Sequence, residues 1–381
     1  MTAEHNALTP FRVDIPQTDI DDLRARLANT RWPDPVPGRD DRTDFSRGIP
    51  LTYLKELTEY WLDGFDWRAH EAELNRYEQF TTVVDGQTFH VVHARSPKPD
   101  ATPLLLNHGW PGSFVEYRRL VPLLTDEFHV VIVSPPGFGF STPLSGTGWE
   151  LARTTGAFAE IMSRLGYERF AAHGTDLGSG ITARLAACCP ERVIGTHIGA
   201  DPRVLGLVGV KFPLPEGLTE EELAQLDAVR SADAADHGYL LIQNHRPDTI
   251  AAALTDSPVG QLAWIAEKFK TRAGGDDRTP DETVDRDQLL TNVSLYWFTR
   301  SGASSAQFYY EAEHAGMDLL MASSVPGGWA VFGTHPLVRR AMDPAKAIGH
   351  WSEFAEGGHF PAMEEPELLA ADIRTFFRSD S

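Results

Sequence analysis

An aspartate at the centre of a tight turn, residues 173–180 (HGTDLGSG), has the residue type and the setting of a nucleophile. An apolar run precedes the turn and small residues follow it, which predicts a strand, a turn and a helix. This order forms a nucleophile elbow, in which small neighbours let the backbones approach. The usual residue there is serine, but here it is Asp176. A carboxylate can attack a saturated carbon and leave an ester that water cleaves, so the pattern favours epoxide opening or halide displacement, with a helix-capping aspartate as the alternative.

His359 is the candidate general base. It follows the last predicted strand, precedes the last predicted helix and comes directly after Gly357 and Gly358, which give a loop conformational freedom. In α/β-hydrolases the histidine follows the nucleophile in the chain and occupies such a loop. The alternative is an unremarkable loop histidine, one of 14 in the chain.

A second loop, residues 108–111 (HGWP), follows a short apolar strand predicted at residues 104–106. Backbone N–H groups there can point at the elbow, and because Pro111 has no N–H, Trp110 is the donor. Together with the N–H of Leu177, it would form an oxyanion hole for cleavage of the Asp176 ester. We expect Trp110, Pro111 and Phe360 to contact the substrate.

Opening an epoxide also needs a proton donor for the departing oxygen, and a tyrosine hydroxyl can serve at neutral pH. Tyr239 and Tyr309 lie in or beside a predicted helical lid. Composition does not single out these two among the nine tyrosines, and the pattern alone favours a packing role for each of them.

Strands and helices alternate through the middle of the chain and position these residues. The dipeptide Asp85-Gly86 predicts a hairpin between two β-rich runs, and residues 115–124 read as a helix. We predict an α/β-hydrolase fold, with a mostly parallel sheet and helices on both faces, and with the site at the carboxyl ends of the strands. Strand periodicity then stops, and a capping box at Thr219–Glu222 begins a helical block.

The predicted organisation has four segments. Residues 1–78 are expected to form an N-terminal arm that packs on the core and lid. Their apolar residues, such as Leu54, Leu57 and Trp61, recur at helical spacing, which predicts helices that pack against something larger than the segment itself. Residues 79–201 form the first part of the core, residues 202–302 the helical cap, and residues 303–381 the second part of the core. The cap is expected to act as a lid.

Bulk properties exclude several classes of protein. The chain has 381 residues and a formal net charge of −20, which argues against binding to nucleic acid or to an anionic membrane. Its only cysteines, Cys188 and Cys189, are adjacent and offer neither a disulfide framework nor metal-ligand spacing. Without a leader or a membrane-length apolar run, we expect a soluble, unprocessed, cytoplasmic protein with a small-molecule partner. A homodimer stays open.

From Phe11 to about Phe377 the sequence resembles the epoxide hydrolase family that includes the microsomal and juvenile-hormone enzymes. The matching stretches are residues 30–34 (TRWPD), 65–68 (FDWR), 108–112 (HGWPG), 256–260 (DSPVG), 267–269 (EKF), 291–293 (TNV), 295–297 (LYW) and 357–360 (GGHF). The resemblance implies an N-terminal arm, an α/β-hydrolase core and a helical cap. It also implies Asp176 as nucleophile, His359 as base, Tyr239 and Tyr309 as the pair that grips the epoxide oxygen, and no metal or organic cofactor.

The chain departs from the family at two positions. Leu177 stands where the family usually has tryptophan, and His335 stands where it has the relay acid. A histidine cannot stabilise an imidazolium as a carboxylate does, so either another acid serves or turnover is weakened. Asp201, which follows the strand after the elbow, is the candidate, because some haloalkane dehalogenases take their acid from that position. Asp201 could instead just start a turn before the lid.

Asp343 and Glu353 are weaker candidates for the relay acid. Two other functions also stay open from the sequence. One is a dehalogenase that uses the same aspartate and histidine on a carbon–halogen bond. The other is a non-catalytic ligand-binding protein that kept the fold after losing its acid. A bulky apolar epoxide, detoxified or processed in a biosynthetic pathway, is the expected substrate.

Overall fold

One sheet organises the structure, a computed structural model that describes residues 7–38, 41–274, 278–316 and 323–378. Its strands within these residues are β1 (Thr9–Phe11), β2 (Glu78–Val84), β3 (Gln87–Ala94), β4 (Thr102–Asn107), β5 (Phe128–Val133), β6 (Phe170–Gly174), β7 (Val193–Ala200), β8 (Gly327–Phe332) and β9 (His350–Phe354). They lie in the order β1-β2-β3-β5-β4-β6-β7-β8-β9. The pairs β1–β2, β2–β3 and β3–β5 are antiparallel, and the remaining neighbours are parallel. The predicted mostly parallel sheet is confirmed.

The central strands are buried along their whole length. Every residue of β5 and of β6 is buried, as expected for parallel strands that are covered on both faces and therefore read as continuous apolar runs. At the antiparallel edge, β2 and β3 pair from Val84 and Gln87 outward. Asp85 and Gly86 between them have φ of 49° and 79°, so the predicted two-residue hairpin is confirmed.

The α-helices of the described residues are numbered along the chain. They are α1 (Gln17–Ala28), α2 (Leu51–Asp63), α3 (Trp67–Leu74), α4 (Val121–Leu124), α5 (Leu151–Arg164), α6 (Leu177–Cys188), α7 (Glu220–Asp236), α8 (Gly238–His245), α9 (Pro247–Asp256), α10 (Pro258–Thr271), α11 (Pro280–Thr283), α12 (Arg286–Thr299), α13 (Ser301–His314), α14 (Leu337–Met342), α15 (Pro361–Glu364) and α16 (Pro366–Arg378). None of these helices is both long enough and apolar enough to cross a bilayer.

The predicted capping box, Thr219 with Glu222, begins α7 and is confirmed.

The single helix predicted at residues 115–124 is wrong. The structure has a 3₁₀-helix, Phe114–Arg118, followed by the separate short helix α4. Pro122 explains the break, because it has no N–H to donate to the preceding turn and therefore suits only the start of a new helix.

The N-terminal segment packs mainly on helices of the cap. Helices α1 and α2 contact α10, α3 contacts α12, and the Trp61 indole donates a hydrogen bond to Ser294 Oγ at 2.9 Å. Leu54, Leu57 and Trp61 are buried, as the helical spacing predicted. Strand β1 joins the segment to the sheet beside β2.

The division into four segments stays a prediction. Its boundary at residue 302 falls inside α13, which packs on α8 and α9 of the cap. Residues 1–6 of the predicted arm, 275–277 of the predicted cap, and 317–322 and 379–381 of the predicted second core part lie outside the described residues.

At the elbow, the start of α6 crosses the end of β4 in close contact. A Cβ on Gly178 would lie 1.9 Å from the carbonyl oxygen of Asn107, and a Cβ on Gly174 would lie 2.2 Å from the carbonyl oxygen of Gly178. Both distances are far below van der Waals contact, so only glycine fits at either position. This close approach brings the first turn of α6 next to the loop that follows β4.

Replacing Gly178 by alanine should therefore destabilise the fold by about 1–3 kcal/mol, because the added methyl group must displace backbone. The matched control is Gly156→Ala in α5, where an added Cβ meets nothing within 4 Å. That change should stabilise the helix by about 0.5–1 kcal/mol. Thermal unfolding followed by circular dichroism measures both effects. Equal midpoints for the two variants would contradict the close-approach argument.

Candidate active site

Asp176 lies at the junction of β6 and α6 in a conformation rare for a residue with a side chain, with φ of 51° and ψ of −128°. Backbone strain of this kind is typical of a nucleophile elbow. Its Oδ1 accepts a hydrogen bond from the Trp110 N–H at 3.0 Å, and the neighbouring N–H of Leu177 helps to lower the pKa of the carboxyl. The two predicted oxyanion-hole donors thus lie against Asp176.

His359 lies between two carboxylates. Its Nε2 is 3.2 Å from Asp176 Oδ2, and its Nδ1 is 2.6 Å from Asp201 Oδ2. The second oxygen of Asp201 accepts a hydrogen bond from the Arg203 N–H at 2.7 Å, which fixes the carboxylate. This order of nucleophile, imidazole and buried acid is the geometry of a hydrolytic triad.

The two carboxylates control the charge of the imidazole. Burial alone would lower the pKa of His359, but its hydrogen bonds to Asp176 and Asp201 outweigh burial and raise that pKa to about 9. Burial would likewise raise the pKa of each aspartate, yet the hydrogen bond from His359 leaves both below their ordinary value. At neutral pH the resting site is therefore an imidazolium between two carboxylates.

The other acids considered from the sequence lie elsewhere. Asp343 accepts hydrogen bonds from the N–H groups of Ala347 and Ile348, and Glu353 is exposed and accepts one from the Trp351 indole. His335 Nδ1 accepts a hydrogen bond from the Leu337 N–H at 3.3 Å, within its own turn. Among the acids proposed from the sequence, Asp201 is the one that the structure brings to His359.

Tyr309 contacts the nucleophile, and Tyr239 packs on Trp110 beside it. The Tyr309 hydroxyl lies 3.4 Å from Asp176 Oδ1, and the Tyr239 ring stacks on Trp110 with centroids 4.7 Å apart. Burial raises the pKa of Tyr239 to about 12, and burial raises that of Tyr309 as well. Both phenols therefore stay protonated and can donate at neutral pH.

Phe360 and Pro111, the other predicted substrate contacts, are both buried beside the site. The Phe360 ring stacks on Phe269 at 4.3 Å and contacts the His359 ring edge-on. Trp110 is 2% exposed and already packs on Tyr239. A direct role of these three residues in binding substrate stays a prediction.

Several positioning residues were not found from the sequence. Asn292 Nδ2 donates to the carbonyl oxygen of Pro111 at 2.7 Å, and the Tyr296 hydroxyl donates to that of Gly112 at 2.8 Å, so α12 fixes the loop after β4. Both residues lie in stretches that carry the family resemblance, which was the available signal. Glu364 accepts hydrogen bonds from the N–H groups of Phe360 and Gly274, which ties the His359 loop to the cap, and no sequence signal pointed to it.

Glu116 is a buried carboxyl that the sequence also did not reveal. It is 2% exposed, and its Oε1 accepts a hydrogen bond from the Thr175 hydroxyl at 3.3 Å, next to the nucleophile. Burial raises its pKa to about 8, so it is mostly protonated at neutral pH. It therefore adds little charge to the resting site.

One group of side chains in the described residues comes close enough to share a metal ion. It consists of His197, His350 and Asp372. Asp372 is already within 2.8 Å of His197 Nε2 and 3.0 Å of His350 Nε2, and His197 contacts His173 through its other ring nitrogen. These hydrogen bonds satisfy the group without an ion.

The parallel sheet, the strained elbow and the histidine between two acids define an α/β-hydrolase that has an aspartate at the nucleophile position. Sequence matches agree: residues 8–117 match the epoxide hydrolase N terminus, and residues 102–196 match the alpha/beta hydrolase fold. Epoxide hydrolase 1 of Sus scrofa is 35% identical, covering 98% of this chain and 89% of its own. A Stigmatella aurantiaca (strain DW4/3-1) protein, whose name also places it among the epoxide hydrolases, is 41% identical, covering 97% of this chain and 85% of its own.

Solved structures give the same result. Aspergillus niger epoxide hydrolase is 29% identical with a TM-score of 0.83, covering 100% of this chain and 98% of that chain. Juvenile hormone epoxide hydrolase from the silkworm Bombyx mori is also 29% identical with a TM-score of 0.83, covering 98% of this chain and 95% of that chain. The chain belongs to the epoxide hydrolase family, and its fold is the predicted α/β-hydrolase fold.

Replacing Asp201 by asparagine should lower the pKa of His359 below about 9, because one of the two carboxylates that stabilise the imidazolium is lost. The matched control is Glu353→Gln, which removes an exposed acid from another strand. NMR titration of the imidazole signals measures the shift, and a His359→Gln spectrum assigns them. If His359 titrated alike in wild type and Asp201→Asn, the proposed Asp201–His359 pair would be wrong.

Proposed function

We propose that this chain converts an epoxide into a vicinal diol through an alkyl ester on Asp176. The observation that carries the proposal is the set of groups around that carboxylate. His359 Nε2 lies 3.2 Å from one oxygen, and the Tyr309 hydroxyl lies 3.4 Å from the other. A substrate whose ring oxygen binds the tyrosine would have a ring carbon beside the carboxylate.

In the first step, one oxygen of Asp176 attacks a carbon of the epoxide ring, and the carbon–oxygen bond on that carbon breaks. Tyr239 and Tyr309 donate hydrogen bonds to the departing oxygen and supply its proton. Both phenols have raised pKa values, so neither is ionised beforehand, and an alkoxide is basic enough to take a phenolic proton. The product of this step is a hydroxyalkyl ester of Asp176.

In the second step, His359 activates water. Esterification removes the negative charge of Asp176, and with it one of the two interactions that raise the pKa of His359. The imidazole then returns its proton, through water, to the tyrosine that gave one to the epoxide oxygen, and becomes a base while Asp201 holds its other nitrogen. His359 takes a proton from water as that water attacks the ester carbonyl carbon, and the N–H groups of Trp110 and Leu177 stabilise the tetrahedral oxyanion. The bond between that carbon and the alkyl oxygen then breaks, the alkyl oxygen takes the proton of the new carboxyl group, and the diol leaves the Asp176 carboxylate and the protonated His359 as they started.

The two alternatives from the sequence have less support. A halide ion needs N–H donors beside the nucleophile, and Leu177 offers no indole there, whereas two tyrosine hydroxyls suit an epoxide oxygen. Halide release from a panel of haloalkanes would favour a dehalogenase. Tight diol binding without turnover would favour a non-catalytic protein, although the 2.6 Å contact between Asp201 and His359 supplies an acid for catalysis.

The substrate is proposed to be a small-molecule epoxide with an apolar body, since aromatic rings of Trp110, Tyr239 and Phe360 surround the nucleophile. The setting is proposed to be detoxification or a biosynthetic pathway in the cytoplasm, where the free thiols of Cys188 and Cys189 would stay reduced. Whether the chain forms a homodimer stays open.

A His359→Gln variant should accumulate the ester, because alkylation of Asp176 does not need the base and hydrolysis does. After incubation with aryl and alkyl epoxides, mass spectrometry should find one epoxide mass added to the Asp176 peptide, while wild type releases diol. Asp176→Asn, incubated in parallel, should show neither adduct nor diol. Absence of both adduct and diol in folded protein across the panel would overturn the proposal.

A Tyr309→Phe variant should lose about 100-fold in the rate of ester formation, because the departing oxygen loses a proton donor. Tyr310, the next residue, is 37% exposed and provides the matched control as Tyr310→Phe. Single-turnover measurements with the enzyme in excess separate ester formation from hydrolysis. Equal rates for the two variants would remove Tyr309 from the mechanism.

A further inference from the structure

A buried cation beside the nucleophile has no hydrogen-bonding or ionic partner within the part of the chain that the structure describes. Arg272, which follows α10, is 9% exposed, and its guanidinium makes no hydrogen bond or ion pair with any of the described residues. Its Nε is shielded from solvent without an acceptor. Burying an unpaired arginine costs folding free energy. In binding sites, guanidinium groups commonly bind carboxylate or phosphate groups of the ligand.

Arg272 is part of the active-site wall. Its guanidinium carbon lies 5.3 Å from the centre of the Tyr239 ring, and its carbonyl oxygen accepts a hydrogen bond from the N–H of His359 at 3.1 Å. Its charge acts on both Asp176 and Asp201, although neither carboxylate is close enough for an ion pair. The cation therefore lies near the region where the epoxide must sit, and its donors have no acceptor among the described residues.

We propose that Arg272 binds a carboxylate carried by the epoxide, so that the preferred substrates join an anionic group to an apolar body. This inference rests on the proposed epoxide hydrolysis. A guanidinium presents two parallel N–H donors that match a carboxylate. The apolar body would lie among the aromatic rings, and the anionic group would lie on the cap side of the site, where α10 ends.

Charge balance supports the same ligand. The carboxylates of Asp176 and Asp201 and the imidazolium of His359 together carry a net charge of −1, which repels an anion. Arg272 offsets that charge. Of the two further buried carboxyls beside these residues, Glu116 is mostly protonated, and Glu364, whose pKa burial raises to about 7, is only partly ionised. An anionic substrate could then approach the carboxylate nucleophile without the penalty that two unscreened like charges would impose in a buried site.

Lys268 provides a matched comparison. Its ammonium nitrogen lies 4.8 Å from the centre of the same Tyr239 ring, and it is also buried. Unlike Arg272, it is already paired, 3.0 Å from Glu267 Oε2. Replacing Lys268 therefore removes a cation beside the Tyr239 ring but leaves the unpaired N–H donors of Arg272 in place.

The test compares two epoxides of similar shape, trans-3-phenyloxirane-2-carboxylate and trans-2-methyl-3-phenyloxirane. In wild type, kcat/KM should favour the carboxylate at least about 10-fold, as expected for charge-assisted hydrogen bonds. Arg272→Met should abolish that preference, chiefly by raising KM for the carboxylate, and Lys268→Met should keep it. A wild-type preference for the neutral epoxide would overturn the inference, as would a preference that Arg272→Met leaves intact.

Calorimetric binding of the two corresponding diols separates this inference from the proposed function. Turnover of the neutral epoxide without an Arg272-dependent preference would overturn the inference and leave epoxide hydrolysis standing. No turnover of either epoxide or of the panel of aryl and alkyl epoxides, with Arg272-dependent binding of the dihydroxy acid, would overturn epoxide hydrolysis and keep the anion site. Neither turnover nor binding would overturn both. If Arg272→Met does not fold, the wild-type preference and an Arg272→Lys variant, expected to retain only part of it, still decide.

Discussion

The imidazole of His359, held between Asp176 and Asp201, is the interaction on which the rest of the site depends. Its two contacts, 3.2 Å and 2.6 Å, join the loop after β9 to the carboxyl ends of β6 and β7. Both carboxylates stabilise the buried imidazolium, and the imidazolium in turn lowers the pKa of each aspartate. The three loops that carry Asp176, Asp201 and His359 must therefore keep their relative positions. This requirement explains why so many hydrogen bonds hold them.

That bracing comes largely from outside the sheet. Helix α12 holds the loop after β4 through Asn292 and Tyr296, while Glu364 ties the His359 loop to Gly274, which follows α10. The N-terminal segment in turn packs on α10 and α12. The cap therefore supports the catalytic loops as well as covering them. A change in the packing of the N-terminal helices would shift α12 and, with it, the loop after β4.

The sequence located the nucleophile and the base because their signals are local: an aspartate in a small-residue turn, and a histidine after two glycines near the end of the chain. Asp201, which lies 158 residues from His359 in the chain, carried no local signal and was predicted from strand order together with the acid position of some haloalkane dehalogenases. Glu116 and Arg272 carried no signal, because their importance comes from burial beside Asp176, which tertiary packing decides. The helix predicted at residues 115–124 failed for a local reason, the proline at position 122, which divides an otherwise helical pattern.

The central claim is that the diol takes one oxygen from Asp176, and a single-turnover experiment in water labelled with oxygen-18 tests it most directly. With enzyme in excess over epoxide, water attacks the ester carbonyl carbon, so the first diol should contain no label and the Asp176 carboxylate should carry it. Mass spectrometry of the diol and of the Asp176 peptide measures both. A labelled diol and an unlabelled Asp176 after one turnover would mean that water attacks the epoxide directly, which contradicts the covalent mechanism.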